Sequence, residues 1–273
     1  MGSRPDPKAV KLTVKSIQEK KGREKIAALT AYDFPFARIL DGVGMDILLV
    51  GDSLGMVLLG YESTLPVTMR QMLHHTKAVA CAAKHALVVA DMPFGSYQSS
   101  FEKAERNARR FIQEAGADAV KLEGAGPSVK TVKGLVQAGI PVMGHLGMTP
   151  QTSTFLGGYK VQGREPGQAR QILEDAEKLE EAGIFALVLE CVPYRLAGKI
   201  TKKISCPTVG CGAGPETDGQ ILVLHDLLGF EGPVHPRFVR RYAQFEKEAR
   251  QAFSRYLSDV RSGTFPTLQE SFQ

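Results

Sequence analysis

A chain of 273 residues with a net charge of +5, no tryptophan and four cysteines without a C-x-x-C pair can build one large core, and α/β barrels commonly use about 250 residues as a single domain. Its basic residues are dispersed and lack an aromatic-rich basic motif, so the excess charge suits anionic small molecules and gives no support to nucleic-acid binding. No apolar run approaches the roughly 20 residues of a membrane span, residues 1–25 lack the apolar centre of a secretory signal, and cysteines beside apolar runs suit a reduced, cytoplasmic protein.

Residues 11–22 predict a short amphipathic helix with Leu12, Val14 and Ile17 on its apolar side. Ile26–Ala31 predicts a first strand ending at Tyr32-Asp33, and Phe36–Val43 a short helix closed by Gly42 and Gly44. Ile47-Leu48-Leu49-Val50-Gly51-Asp52-Ser53 follows. Its unbroken aliphatic run suits a strand buried on both faces of a parallel sheet, with charge expelled to the C-terminal end. A helix over 68–84 precedes Ala86–Asp91, which repeats that design. Helices over 99–115 and 128–138 lead to strands ending at Glu123-Gly124 and at His145. A Gly-rich loop carrying Lys160 and Arg164, read as a mobile lid, precedes a helix over 166–182 and a strand ending at Glu190. A helix near 194–202, a strand over 206–211 and an eighth strand over 220–224 complete the alternation, and 236–261 predicts a long amphipathic C-terminal helix.

Eight strand-like runs alternating with helices predict an α/β fold, a closed (β/α)₈ TIM barrel. An open doubly wound sheet is the alternative, but no G-x-G-x-x-G follows an early strand. The chain reads as one domain over 1–273: a lead-in helix within 1–24, the barrel over 25–230, a C-terminal helix over 235–262 that packs on the barrel or makes a subunit contact, and a tail over 263–273.

Six successive runs end on Asp33, Asp52, Asp91, Glu123, His145 and Glu190. The C-terminal ends of barrel strands carry chemistry, although any one such acid can simply cap the next helix. Alternation along a strand puts Lys121 and Glu123 on one face. Gathered carboxylates repel, and a divalent cation relieves that repulsion. Oxygen-only ligation selects Mg²⁺, Mn²⁺ or Ca²⁺ over zinc, with Asp52 and Asp91 as direct ligands and Glu123 reaching the ion directly or through water. Glu190, after the apolar run 185–189, is the candidate general base, its pKa raised by burial. His145 reads as a core histidine or a substrate contact. His74-His75, on a helix without partners, reads as structural. Gly210–Pro215 suits phosphate or plain connectivity equally.

The segments LTAYDFPFARILD, LLVGDSLGMVLLGYESTLPVTM, VVADMPFGSY, AVKLEG, GHLGMTPQ, GGYKVQGR, LVLECVP and GCGAGPETDGQILVLHDLLG, in order over roughly 25–230, resemble ketopantoate hydroxymethyltransferases. The resemblance implies a (β/α)₈ barrel using one Mg²⁺ per subunit. It implies transfer of a hydroxymethyl group from 5,10-methylenetetrahydrofolate to 3-methyl-2-oxobutanoate, giving 2-dehydropantoate for pantothenate and coenzyme A synthesis. It further implies Asp52 and Asp91 as Mg²⁺ ligands with Glu123 completing or supporting the site. Asp52, Ser53, Asp91 and Lys121 would lie against the keto acid, and Glu190 would accept its proton. A cytoplasmic, ring-like homo-oligomer, commonly a decamer, is implied as well, which gives the C-terminal helix a subunit contact. Thr152-Ser153-Thr154-Phe155 departs from the family's usual Ser-Val-Asn-like stretch, and Cys211 stands where isoleucine is common. Two other readings remain: a related Mg²⁺ barrel of the isocitrate lyase and phosphoenolpyruvate mutase type, against which the missing K-x-C-G loop argues, and a non-catalytic oligomeric barrel, which predicts neither metal dependence nor loss on changing Glu190.

Overall fold

The computed structural model describes residues 10–152, 160–230 and 236–272. The chain divides into two compact units, Met1–Leu222 and Val223–Gln273.

The first unit is a closed parallel barrel. Strands β1 (Ile26–Thr30), β2 (Ile47–Val50), β3 (Leu87–Asp91), β4 (Ala119–Glu123), β5 (Val142–Gly147), β6 (Ala186–Glu190), β7 (Thr208–Cys211) and β8 (Gly219–Leu222) pair in sequence order, and β8 closes onto β1. Helix α1 (Val14–Glu19) precedes the barrel. Helix α2 (Phe34–Gly42) follows β1; α3 (Leu54–Val57) and α4 (Met69–Ala82) follow β2; α5 (Phe101–Gln113), α6 (Pro127–Gln137), α7 (Pro166–Glu181) and α8 (Tyr194–Lys203) follow β3 to β6. The expected elements are all present. The short α3 was not expected, because four residues carry no helical period of their own.

Alternate residues of every strand (Ile26, Ala28, Ile47, Leu49, Leu87, Val89, Ala119, Met143, Ala186, Val188, Val209, Ile221) form one buried cluster, which fills the barrel lumen. Ile17 belongs to the same cluster, and Leu12 and Val14 pack against it. The lead-in segment therefore plugs the N-terminal mouth, which directs access to the C-terminal one.

Helix starts follow local chemistry. Thr68 and Ser100 cap α4 and α5 through their hydroxyls. Asp33 caps α2 by accepting a hydrogen bond from the Phe36 amide at 2.8 Å. The sequence placed Asp33 among the rim acids. The structure instead spends this carboxylate on an orphan helix amide, because its strand ends at Thr30, three residues earlier.

The second unit holds α9 (Leu224–Leu228), closed by Gly229 in the left-handed region, and α10 (Phe245–Ser262). Helix α10 starts nine residues later than the pattern suggested. Pro236 opens a non-helical stretch, and Glu246 and Glu248 favour a helix N-terminus at Phe245 by opposing the macrodipole. Phe253, Tyr256, Leu257 and Val260 of α10 are exposed.

Candidate active site

The lumen alternation continues beyond the apolar layers into charge. Two and four residues past Ala119 on β4 come Lys121 and Glu123, on the same inward face. Register then brings neighbours together: Asp91 stands opposite Lys121, Glu123 opposite His145, and Gly147 opposite Glu190. Closing the sheet thus turns charges separated in sequence into one connected group at the C-terminal mouth.

The contacts are specific. The Lys121 ammonium forms a short ion pair with Asp91 Oδ1, while Asp91 Oδ2 accepts from the Asp52 amide at 3.2 Å. His145 lies between two acids, with Nδ1 at 3.4 Å from Glu123 Oε1 and Nε2 at 3.3 Å from Glu190 Oε2. Neither approach has hydrogen-bond alignment, so these are close ion pairs. Asp52, Asp91, Lys121, Glu123 and His145 are all buried. The Glu190 side chain keeps 17% of its exposure. Its setting is more open and more polar than the apolar run before it suggested, because Leu187 and Leu189 occupy the opposite face of β6 from Val188 and Glu190.

Electrostatics divide the acids. Burial, reinforced by the charges of Asp91 and Glu123, holds Asp52 well above the usual carboxylate range. Burial also raises Asp91, although Lys121 opposes it. Burial works against charge on Lys121, but the three surrounding acids raise its pKa further still. Burial and Lys121 disfavour charge on His145, yet its two carboxylate partners carry it up to about 9. Glu123 goes the other way: His145, Lys121 and the Gln151 amide outweigh burial and lower it. The group therefore contains one securely charged lysine, a histidine that is protonated at neutral pH, and more carboxylate than those two cations balance. The excess falls on Asp52.

Two glycines permit the close approaches. A Cβ on Gly51 would lie 2.7 Å from Ser53 Oγ. One on Gly147, at φ +99°, would lie 2.1 Å from the Glu190 carbonyl oxygen. A side chain at either position would push apart elements that carry the site.

Ser53 caps no amide of α3; its hydroxyl instead meets the Tyr32 hydroxyl at 2.9 Å, and the Tyr32 carbonyl contacts His75 Nδ1 at 2.7 Å. His75 thus holds a main-chain carbonyl, which agrees with the structural role read for it. Three residues without a role in that reading belong to the group: Tyr32, Tyr97 and Gln151. Each closes a quoted segment or lies within one (LTAYD, VVADMPFGSY, GHLGMTPQ), but none is ionised at neutral pH, so a search for charges passes over them. Among the described residues, no three His, Cys, Asp or Glu side chains converge to hold a metal ion. Residues 157–159 of the expected lid lie outside the described residues; from its described part, the Gln162 amide donates to the Cys191 carbonyl at 2.9 Å, beside Glu190.

Comparison with known proteins decides the family. The ketopantoate hydroxymethyltransferase profile matches residues 11–268. The chain belongs to the ketopantoate hydroxymethyltransferase family. It is 56% identical to the 3-methyl-2-oxobutanoate hydroxymethyltransferase of Thermoanaerobacter sp. (strain X514), over 98% of this chain and 97% of that protein. It is 53% identical to the protein of the same name from Nitratidesulfovibrio vulgaris (strain DP4), over 96% and 85%. This is a family of enzymes. Among solved structures, phosphonopyruvate hydrolase in complex with oxalate and Mg²⁺ superposes with a TM-score of 0.60 at 12% identity, over 95% of this chain and 93% of that one. The 2,3-dimethylmalate lyase, a member of the phosphoenolpyruvate mutase and isocitrate lyase superfamily, gives 0.58 at 15%, over 96% and 92%. At such identities these two share the fold with the ketopantoate hydroxymethyltransferase barrel. No helix among the described residues is long and apolar enough to cross a membrane.

Proposed function

We propose that this chain transfers a hydroxymethyl group from 5,10-methylenetetrahydrofolate to 3-methyl-2-oxobutanoate, giving 2-dehydropantoate, with Mg²⁺ as cofactor. The observation that carries this reading is the buried group at the barrel mouth, in which carboxylate exceeds cation and a half-buried glutamate faces the opening.

The donor set fits a hard divalent ion. Its acids offer carboxylate oxygens, and among the described residues no lysine or arginine pairs with Asp52. Mg²⁺ typically takes one or two protein carboxylates and leaves its other positions to water and substrate, so Asp52 and Asp91 suffice as ligands. Glu123 has one oxygen beside His145 and the other bonded to the Gln151 amide at 3.0 Å; it would support the ion's site from beside the two direct ligands. When bound, Mg²⁺ supplies the positive charge that polarises the 2-oxo group.

The protein's own groups do the rest. Lys121 and Ser53 bind the anionic keto acid. Glu190 takes the proton from C3, so the C–H electron pair passes into an enolate whose carbon forms the new C–C bond to the donor's methylene carbon. Both C–N bonds of that methylene break as water supplies the hydroxyl oxygen, and the C3 proton taken by Glu190 and one proton of the water pass to N5 and N10 of the departing tetrahydrofolate. His145, charged and 3.3 Å away, orients the Glu190 carboxylate. The protein acts in the cytoplasm as a homo-oligomer, probed by sedimentation, with the exposed apolar side of α10 as a contact.

Proton NMR in deuterium oxide tests the chemistry without the folate. The C3 hydrogen of 3-methyl-2-oxobutanoate should exchange when Mg²⁺ is present, and its retention would refute enolisation. Glu190→Gln should keep keto-acid binding and slow exchange by about 10²- to 10⁴-fold; undiminished exchange would assign the base elsewhere.

A further inference from the structure

We infer that Gln151 is a positioning residue that orients Asp52 for the divalent cation without neutralising it. The inference rests on the proposed role of Asp52 as a ligand and extends it to a residue that touches neither ion nor substrate.

Gln151 sits in a 3₁₀ turn, Pro150–Thr152, just past β5, and only 3% of it is exposed. Its carboxamide is fully used. Nε2 donates one hydrogen to Asp52 Oδ2 and the other to the Met92 carbonyl, both at 2.9 Å. Oε1 accepts from the Tyr97 hydroxyl at 2.9 Å and from Gln98 Nε2 at 3.3 Å. These partners allow one orientation only. Rotating the amide by 180° would set its carbonyl oxygen against two acceptor oxygens. Tyr97 is itself held, since its hydroxyl accepts from the Glu123 amide at 3.2 Å, and burial keeps the phenol protonated and able to donate. The Gln151 main chain reaches the second acid, with its N–H on Glu123 Oε2 at 3.0 Å.

Gln151 thus bridges the acid after β2 and the acid ending β4, using neutral donors for both. Neutrality is the point. Lys121 already balances Asp91. A second ammonium on Asp52 would cancel the remaining negative charge and compete with a metal ion for it. A carboxamide fixes the rotamer of Asp52, engages one oxygen and leaves the charge in place. Partners of this kind, one bond removed from a metal, commonly change its affinity about 10- to 100-fold when removed.

The test is Mn²⁺ binding to the purified full chain, read by electron paramagnetic resonance, together with Mg²⁺ dependence of C3 exchange. Gln151→Met keeps length and apolar volume but removes both donors. It should weaken Mn²⁺ binding about 10- to 100-fold, while exchange at saturating Mg²⁺ stays within a few-fold of wild type. Binding within twofold of wild type would overturn the inference, as would an exchange defect that saturating Mg²⁺ does not restore. Tyr97→Phe removes only the hydroxyl that holds the amide's oxygen. It should weaken binding by a smaller factor, about threefold, and it decides the matter should Gln151→Met fail to fold: unchanged affinity then refutes the inference. Asp52→Ala separates this inference from the underlying one. If Asp52→Ala still binds Mn²⁺ as wild type does, the ligand assignment itself is wrong; if it loses binding while Gln151→Met does not, only the positioning role falls.

Discussion

The two ends of the barrel hold acids in opposite ways. At the N-terminal end, Asp46, Asp118 and Asp218 each have a lysine from the lead-in segment: Lys20 at 3.0 Å, Lys11 at 2.9 Å and Lys21 at 2.8 Å. Each also accepts from main-chain amides, those of Ala27, of Val88, and of Gly22 and Thr208. Asp41 gathers the amides of Lys84, His85 and Ala86. At the C-terminal end, Asp52, Asp91, Glu123 and Glu190 share one lysine and one histidine. The same residue type therefore does structural work where each carboxylate has its own donors. Where negative charge is left over, a cation or an anionic substrate's metal has somewhere to go.

Substitutions at the two ends should separate these roles. The largest effect belongs to the C-terminal end. Asp52→Ala should lower Mg²⁺-dependent C3 exchange by about 10³-fold with no loss of melting temperature, whereas Asp91→Ala should lose exchange equally and also melt lower, because it leaves the buried Lys121 ammonium without its partner; an unchanged Mg²⁺ titration would erase the distinction. Next comes the N-terminal end. Asp218→Asn loses charge-assisted bonds to Lys21, Gly22 and Thr208, at about 1.5–3 kcal/mol. A melting temperature lower by about 4–8 °C is expected by calorimetry, with exchange per folded molecule unaltered. The smallest effect concerns pH. Burial raises Asp218, but Lys21 and the amides outweigh it and lower its folded pKa. Its stabilisation is thus complete above about pH 4 and lost as pH falls through the folded value. Asp52 and Asp91 have raised folded values, so the sign reverses. In the metal-free protein the contribution of these two acids is most favourable below about pH 4, where both are protonated, and is lost as pH rises through their folded values. Metal-free Asp52→Asn should therefore melt about 1–3 °C above wild type at pH 8 and at the same temperature near pH 4; a gap that shrinks as pH rises would contradict the charge excess at this end.

The acids of the candidate site were legible because strand periodicity is local. An apolar run ending on Asp91 or Glu123 announces both a buried strand and a charge at its rim. Asp33 misled for the same reason: the pattern does not say whether a carboxylate after a strand turns inward or caps the next helix, and that depended on β1 ending at Thr30. Glu190 was placed correctly but in the wrong surroundings, since the residues preceding a side chain in a strand are not those beside it. Gln151, Tyr97 and Tyr32 carried no readable signal. Their hydroxyl and amide groups acquire meaning only from the acids and carbonyls they meet.

Composition, periodicity and motif order by themselves determined the eight strands, their alternation with helices and the ionisable residues that end them, because each follows from interactions between residues near in sequence. Only the tertiary structure decided which acid faces which cation, that the lead-in segment closes one mouth, and that one neutral glutamine spans two acids that lie 28 and 99 residues from it in the chain. Those facts depend on strand register in a closed sheet, which sets distances between residues that the chain itself leaves far apart.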